Sequence, residues 1–152
     1  MGIAPGVTPP PAIIAMQRRT GTTWAARQAM TGRLYQAGVT LVSGVDSGVS
    51  AGKPHGILAL AIADRVTAGI PSSAALASAT SIAAQACGLG GRKGLLRPSY
   101  DADMVVVAGD PVTDITALTQ VQAVYRAGHR FSRTAKPVPS TCDRAELVWQ
   151  RA

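Results

Sequence analysis

The stretch Val39-Thr40-Leu41-Val42-Ser43-Gly44-Val45-Asp46-Ser47-Gly48 decides the fold of this chain. Its first four residues are apolar or β-branched and predict a buried strand over residues 39–42, and the two glycines predict a loop after it. A carboxylate at the end of a buried strand is costly to hold unless a cation meets it. Asp46 is therefore the leading candidate for a site residue, although Asp and Gly also form ordinary turns.

The elements on either side of this strand predict an α/β fold. Apolar residues at helical spacing predict helices over residues 24–37 and 55–68, and the second is apolar almost all round, so it needs cover on more than one side. A third helix, rich in Ala and Ser, is predicted over residues 72–87, with a bend at Thr80-Ser81. Helix, strand, loop and helix form one turn of an alternating α/β fold, in which sites form at the carboxyl ends of strands. Asp46 occupies that end.

The remainder of the chain has a different character. Residues 104–107 and 121–125 are predicted strands, and Asp114 between them can cap a short helical turn. His129, next to Gly128, is predicted to be a turn residue. Before residue 23, Pro and Gly are so frequent that we expect a loop or linker.

Composition limits the possible partners. The chain has 152 residues and a net charge of +7, but its basic residues are dispersed and only 4% of its residues are aromatic, so nucleic-acid binding is not expected. The longest apolar run, residues 57–63, is far shorter than the ~20 residues of a membrane span, and we expect a soluble, cytoplasmic protein without a membrane partner. Two distant cysteines indicate neither a zinc finger nor a disulfide scaffold, and Cys87 is predicted to be a small buried residue.

Other motifs give weaker signals. Ser47 does not lie in a Gly-x-Ser-x-Gly nucleophile elbow, so the sequence does not indicate Ser/His/Asp catalysis. His55 could reach the same end of the predicted strand as Asp46 and bind substrate there. Alternatively, it could face solvent at the start of a helix. The glycine-rich loop 88–94 follows a helix rather than a strand, which disfavours a phosphate site. Asp101-Ala102-Asp103 is better explained as a turn before a strand than as a cation site.

An ordered set of short motifs resembles one known family. The set comprises Gly44-Val45-Asp46-Ser47-Gly48, Lys53-Pro54-His55-Gly56, Ala75-Leu76, Ala79-Thr80, Gly88-Leu89, Arg92-Lys93-Gly94, residues 100–107, Gly109-Asp110-Pro111 and Asp114-Ile115. In order and spacing it is similar to the C-terminal portion of metal-dependent amidohydrolases, in the imidazolonepropionase-like and prolidase-like branch. The likeness covers about residues 33–130. Two departures are Val45, where many members have Thr, and Ser99, where Gly is usual.

The resemblance implies a C-terminal fragment of a TIM barrel, its last strand and flanking helices, joined to part of a small β-sandwich. Residues 1–23 would then be a linker or loop, 24–93 the end of the barrel, 94–131 the sandwich portion and 132–152 a basic tail. It also implies that Asp46 is the aspartate that ligates a divalent metal, usually zinc, and shuttles a proton. Such enzymes use metal-activated water to hydrolyse amide or related C–N bonds.

Most of the ligands that this chemistry needs have no counterpart here. The chain contains only two histidines, and the family's His-x-His pair is missing. A catalytic zinc normally takes three protein ligands, so we expect no stable metal binding by this chain alone.

Three hypotheses follow from these missing ligands. In the first, the chain is an incomplete amidohydrolase, inactive alone, whose family acts on cyclic amides, other non-peptide amides or dipeptides. In the second, it is one half of a split enzyme, completed by an N-terminal barrel polypeptide. The third is a non-catalytic or regulatory module that docks onto a partner.

Overall fold

The computed structural model describes residues 11–49 and 53–131, and its elements follow a helical half and then a sheet half. The five helices of these residues are α1 (Pro11–Thr20), α2 (Trp24–Gln36), α3 (Leu58–Thr67), α4 (Ser72–Ala79) and α5 (Ser81–Ala86). The strands are β1 (Met104–Val107), β2 (Val121–Arg126) and β3 (His129–Phe131), and a 3₁₀ helix, Ile115–Thr119, lies between the first two. The predicted basic tail, residues 132–152, lies outside the described residues.

Three helices confirm the sequence patterns, with adjusted ends. The Thr23 side chain caps α2 by accepting a hydrogen bond from the Ala26 N–H, which satisfies one of the helix's unpaired donors. Helix α3 begins at Leu58 rather than at residue 55. The predicted bend at Thr80-Ser81 separates α4 from α5, and Thr80 has a non-helical φ of −122°.

The expectation of a linker up to residue 23 is wrong for the part that the structure describes, because α1 occupies Pro11–Thr20. Pro11 stands at the first helical position, where a missing N–H costs nothing. The residues after it include Ala, Met, Gln and Arg, which favour helix. Gly21, with a φ of 63°, follows the helix. Residues 1–10 lie outside the described chain.

The prediction of a buried strand over residues 39–42 is also wrong. Residues 39–46 carry no regular secondary structure, and Val39 and Val42 are 45% and 43% exposed. From residue 41 to residue 46 exposure nevertheless alternates, with Leu41, Ser43 and Val45 partly buried and Val42, Gly44 and Asp46 exposed. This is the period-2 pattern of a strand. A strand also needs a hydrogen-bonded neighbour, and the described part of the chain provides none here.

The sheet half forms an antiparallel sheet in the order β1-β2-β3. Val124 in the central strand pairs with Val105 on one side and with Phe131 on the other. Ala127 and Gly128 both have positive φ, as a two-residue type I′ hairpin turn requires. The prediction of His129 as a turn residue is therefore wrong. The turn is only two residues long, so His129 is the first residue of β3 and pairs with Arg126 of β2.

The two halves share a small core. Three residues are buried together: Ile62 from α3, Ile70 between α3 and α4, and Ala75 from α4. Leu41 from the segment 39–46 and Ile115 from the 3₁₀ helix pack against them. Asp114 caps that 3₁₀ helix, as predicted, by accepting a hydrogen bond from the Thr116 N–H. The sheet half is thus anchored to the same core that holds the segment 39–46.

Two further sequence expectations concern burial and membranes. Cys87 is exposed, contrary to the prediction, because α5 ends at Ala86 and leaves the cysteine at its C-cap. Within residues 11–49 and 53–131, the helices are all too short or too polar to span a bilayer.

Candidate functional site

The segment 39–46 is held in place by side chains rather than by a sheet. The Ser43 N–H donates to the Ser78 carbonyl oxygen at 2.9 Å. The Ser78 hydroxyl donates to Ala75 O at 2.6 Å, so the Ser43 hydroxyl must be the donor in its 2.7 Å contact with Ser78 Oγ. Arg65 donates to Val42 O at 3.0 Å and to Ser43 Oγ at 3.3 Å. Helices α3 and α4 therefore hold the segment that leads to Asp46.

Asp46 ends the segment in an unusual backbone conformation. Its φ is 54°, in the left-handed region, which costs a non-glycine residue roughly 1–3 kcal/mol, and residues with such strain cluster at functional sites. Asp tolerates this region better than most residues. The side chain is 55% exposed, and its Oδ2 lies 3.3 Å from Lys53 Nζ. The cation that meets this carboxylate is therefore a lysine of the same loop, at an exposed position rather than at the end of a buried strand.

His55 lies in the same loop as Asp46. A Cβ built on Gly48 would lie 3.3 Å from His55 Nε2, so the imidazole rests against the backbone two residues after Asp46. The Gly48 N–H donates to the Lys53 carbonyl oxygen at 2.8 Å, which closes this loop. The structure thus brings Asp46, Lys53 and His55 to one end of the segment. In the sequence, Lys53 stands out only as part of the motif Lys53-Pro54-His55-Gly56.

This set of residues does not make a metal site by itself. Among the residues that the structure describes, no three His, Cys, Asp or Glu side chains are grouped so that they could hold an ion. Asp46 and His55 could supply at most two ligands, and catalytic zinc normally takes three from protein.

A second polar site was missed by the sequence analysis. Helices α2 and α3 enclose a cavity of about 100 Å³, whose lining includes Trp24, Arg27, Ser43 and Asp64. Asp64 Oδ2 is buried there and has no hydrogen-bond partner within the described chain. Burial raises the pKa of this carboxyl above its usual value, because the charged form loses hydration. The available signal was that Asp64 is the one acidic residue of α3.

The carboxylates of Asp101 and Asp103 bind the chain's own cations. Lys93 pairs with both, and Arg92 Nη2 lies 2.8 Å from Asp101 Oδ2. Hydrogen bonds from Lys93 are the main reason that the pKa of each carboxyl is lowered. Asp103 also accepts from the Ala127 N–H at 2.8 Å. These contacts join the loop 88–94 to the β2–β3 turn, which explains the pair structurally.

Comparisons with known proteins agree with the resemblance. A model of the amidohydrolase family matches residues 3–130. Similar solved structures include a Xaa-Pro dipeptidase with methionine in its active site (28% identity, TM-score 0.64, 69% of this chain and 25% of that one). Others are a prolidase candidate from Bifidobacterium longum (26%, 0.66, 77% and 31%) and an amidohydrolase from Thermotoga maritima MSB8 (26%, 0.59, 74% and 28%).

The extent of these matches is as informative as their identity. This chain spans only 25–31% of the length of those three structures. No curated protein sequence matches it significantly. The mixed helix-and-sheet architecture with an antiparallel sheet agrees with these neighbours, and members of the matched family are generally metal-dependent.

Proposed function

Because this chain belongs to the amidohydrolase family, we propose that it is the aspartate-bearing portion of a hydrolase acting on C–N bonds. In this proposal the segment 39–46 corresponds to the last strand of a TIM barrel and the helices around it to the flanking helices. The sheet half would be part of a small β-sandwich. The observation that carries this proposal is Asp46 itself, held at a φ of 54° at the end of a segment with strand-like alternation. The expected cytoplasmic location is part of the same proposal.

The proposed substrates are small molecules with an amide bond. The similar structures include a Xaa-Pro dipeptidase, whose substrates are dipeptides. Dipeptides and non-peptide amides, including cyclic ones, therefore form the substrate class that we propose. The Asp46 side chain is 55% exposed and is accessible to molecules of that size.

In the proposed reaction, Asp46 moves the proton. Its carboxylate accepts a proton from water as the water oxygen bonds to the carbonyl carbon, and then gives that proton to the nitrogen as the C–N bond breaks. His55 would donate a hydrogen bond to a polar group of the substrate. A divalent ion, zinc in our proposal, would bind only in the completed enzyme, with Asp46 as one ligand among others from outside this chain.

We further propose that a complementary amidohydrolase polypeptide completes the enzyme. The backbone N–H groups of Thr40, Leu41 and Val42 make no hydrogen bond within the described chain. Unpaired strand edges are templates for pairing with another chain. Parallel strands on both sides of residues 39–46 would pair with these N–H groups and bring the missing ligands toward Asp46.

The test is to isolate the tagged chain from its native host and to assay it for hydrolysis of Xaa-Pro dipeptides and N-acyl amides. We expect the chain alone to be inactive and its complex with an amidohydrolase polypeptide to be active. Asp46→Asn should lower kcat of the complex at least ~100-fold. Val49→Thr, at an exposed neighbouring position, is the matched control. Hydrolysis by the purified chain without another protein would refute the proposal.

A second candidate function is a non-catalytic or regulatory docking module. The observation that favours it is an apolar stripe across the sheet: Val105, Val124 and Phe131 pair side by side and are 61%, 39% and 58% exposed. Exposed apolar patches often mark interfaces. A complex in which Asp46→Asn changes no activity, while Val124→Lys abolishes assembly, would favour the docking module over the enzyme.

A further inference from the structure

We propose that Lys53 is a built-in counter-ion that takes the cation position of Asp46 in this chain and competes there with a divalent ion. The inference rests on the proposed role of Asp46 as a ligand in the completed enzyme. It starts from a disagreement: the family is generally metal-dependent, whereas the cation that meets Asp46 here is an ammonium group 3.3 Å from Oδ2.

Lys53 and Asp46 differ in how far their side chains are exposed. The Lys53 side chain is only 14% exposed, whereas that of Asp46 is 55% exposed. The Lys53 backbone is tied to the loop through its carbonyl oxygen, which accepts the Gly48 N–H at 2.8 Å. The ammonium is therefore the more enclosed of the two groups, and it lies 3.3 Å from the exposed carboxylate of a residue whose φ is 54°.

The charge balance explains why such a counter-ion has a role. A carboxylate built to contact an ion carries a full negative charge when that ion's other ligands are absent. An ammonium at hydrogen-bonding distance neutralises it, and the same charge repels a divalent ion approaching Oδ2. Since the described residues hold no group of three potential ligands, the ion has too few bonds here to displace the lysine. Further ligands from outside the chain would reverse that balance.

The test uses the isolated full chain with Mn²⁺ alone as the probe. Bound Mn²⁺ broadens the amide NMR signals of nearby residues, so the signals of Gly44, Asp46 and Ser47 report binding at Asp46. We expect the Mn²⁺ concentration that halves the Ser47 signal to be about fivefold lower in Lys53→Met than in the unmodified chain, because an adjacent like charge has been removed. Arg92→Met, which removes a cation from the Asp101 pair, should leave this concentration unchanged.

A double variant identifies the binding atom. Lys53→Met combined with Asp46→Asn should return the broadening to the level of the unmodified chain or weaker. The inference is overturned if Lys53→Met binds Mn²⁺ no better than the unmodified chain, or if the enhanced broadening survives Asp46→Asn. Because no activity is measured, failure here is distinguishable from failure of the proposed hydrolase function, which the assembled complex tests.

Discussion

Strand β1 and the segment 39–46 have similar composition but different structures. Met104-Val105-Val106-Val107 forms a hydrogen-bonded ladder with β2, whereas Val39-Thr40-Leu41-Val42 has none within the described chain. Both stretches are apolar and β-prone, so propensity does not explain the difference. The difference is the availability of a partner strand. The partner of β1 is β2, which begins at Val121 in the same chain, whereas residues 39–42 have no partner strand within the described chain.

The comparison shows which part of the fold the chain completes by itself. An antiparallel sheet can be closed by local turns, here Ala127-Gly128 between β2 and β3, whereas parallel strands require connections through a helix and partners distant in sequence. The segment keeps strand-like alternation because Leu41 packs into the shared core and Ser43 binds Ser78. Contacts with the helices thus hold the side chains of the segment, whereas the backbone N–H groups of residues 40–42 have no partner within the described chain.

The largest expected effect comes from matched proline substitutions in the two regions. Val124→Pro should lower the free energy of unfolding by about 3 kcal/mol or more, because proline removes a ladder hydrogen bond from a central strand. Val42→Pro should cost under about 1 kcal/mol, since the Val42 N–H has no partner within the described chain to lose. Urea denaturation measures both. Equal losses would break the comparison.

The second effect concerns the helices that support the segment. A Cβ on Gly32 would lie 2.3 Å from the Ala68 carbonyl oxygen, so Gly32→Ala must push α2 away from α3 and should cost about 2–3 kcal/mol. Gly44→Ala, in the open segment, meets nothing within 4 Å and should cost under about 0.5 kcal/mol. If the two variants are equally stable in urea, the close approach of these helices is not real.

The third effect is a stabilisation. Asp64→Asn should raise the free energy of unfolding by about 1 kcal/mol at pH 7, because the buried Oδ2 of this carboxylate has no partner within the described chain and a neutral amide is cheaper to bury. The folded-state pKa of Asp64 is raised, so its destabilising effect is absent below the unfolded value and appears as the pH rises through the folded one. The difference between variant and unmodified chain should vanish near pH 3. A pH-independent difference would show that the charge of Asp64 is not the cause.

Much of the fold followed from the sequence, and the failures share a cause. Periodicity and breakers located α2 to α5, β1 and β2, and the cap by Asp114, because these depend on local chemistry. The predicted burial of residues 39–42 and of Cys87 failed, since burial depends on what lies alongside. Lys53 and Asp64 were not predicted as site residues. The approach of Lys53 to Asp46 across a loop, and of Asp64 to the neighbouring helix α2, depends on the three-dimensional fold and leaves no periodic pattern in the sequence.

The smallest expected effect lies in the sheet half. The lowered pKa values of Asp101 and Asp103 arise chiefly from Lys93, so Lys93→Met should move both titration midpoints up toward the ordinary value. In the unmodified chain, the stability from these pairs is present above that ordinary value and is lost as the pH falls through the lowered one. Carboxyl ¹³C NMR follows each group. Asp110, whose lowered pKa comes from Val112 and Thr113, should not move, and a shift there would indicate a wider disturbance.

Amide hydrogen exchange of the isolated chain tests the central claim most directly, that the segment 39–46 keeps an unpaired backbone edge for partners outside the described chain. We expect the amides of Thr40, Leu41 and Val42 to exchange at least ~100-fold faster than those of β2, while Val39 and Ser43, which donate to Leu34 and Ser78, are protected. Protection of Thr40, Leu41 and Val42 equal to that of β2 would contradict the account, because their edge would then already be paired.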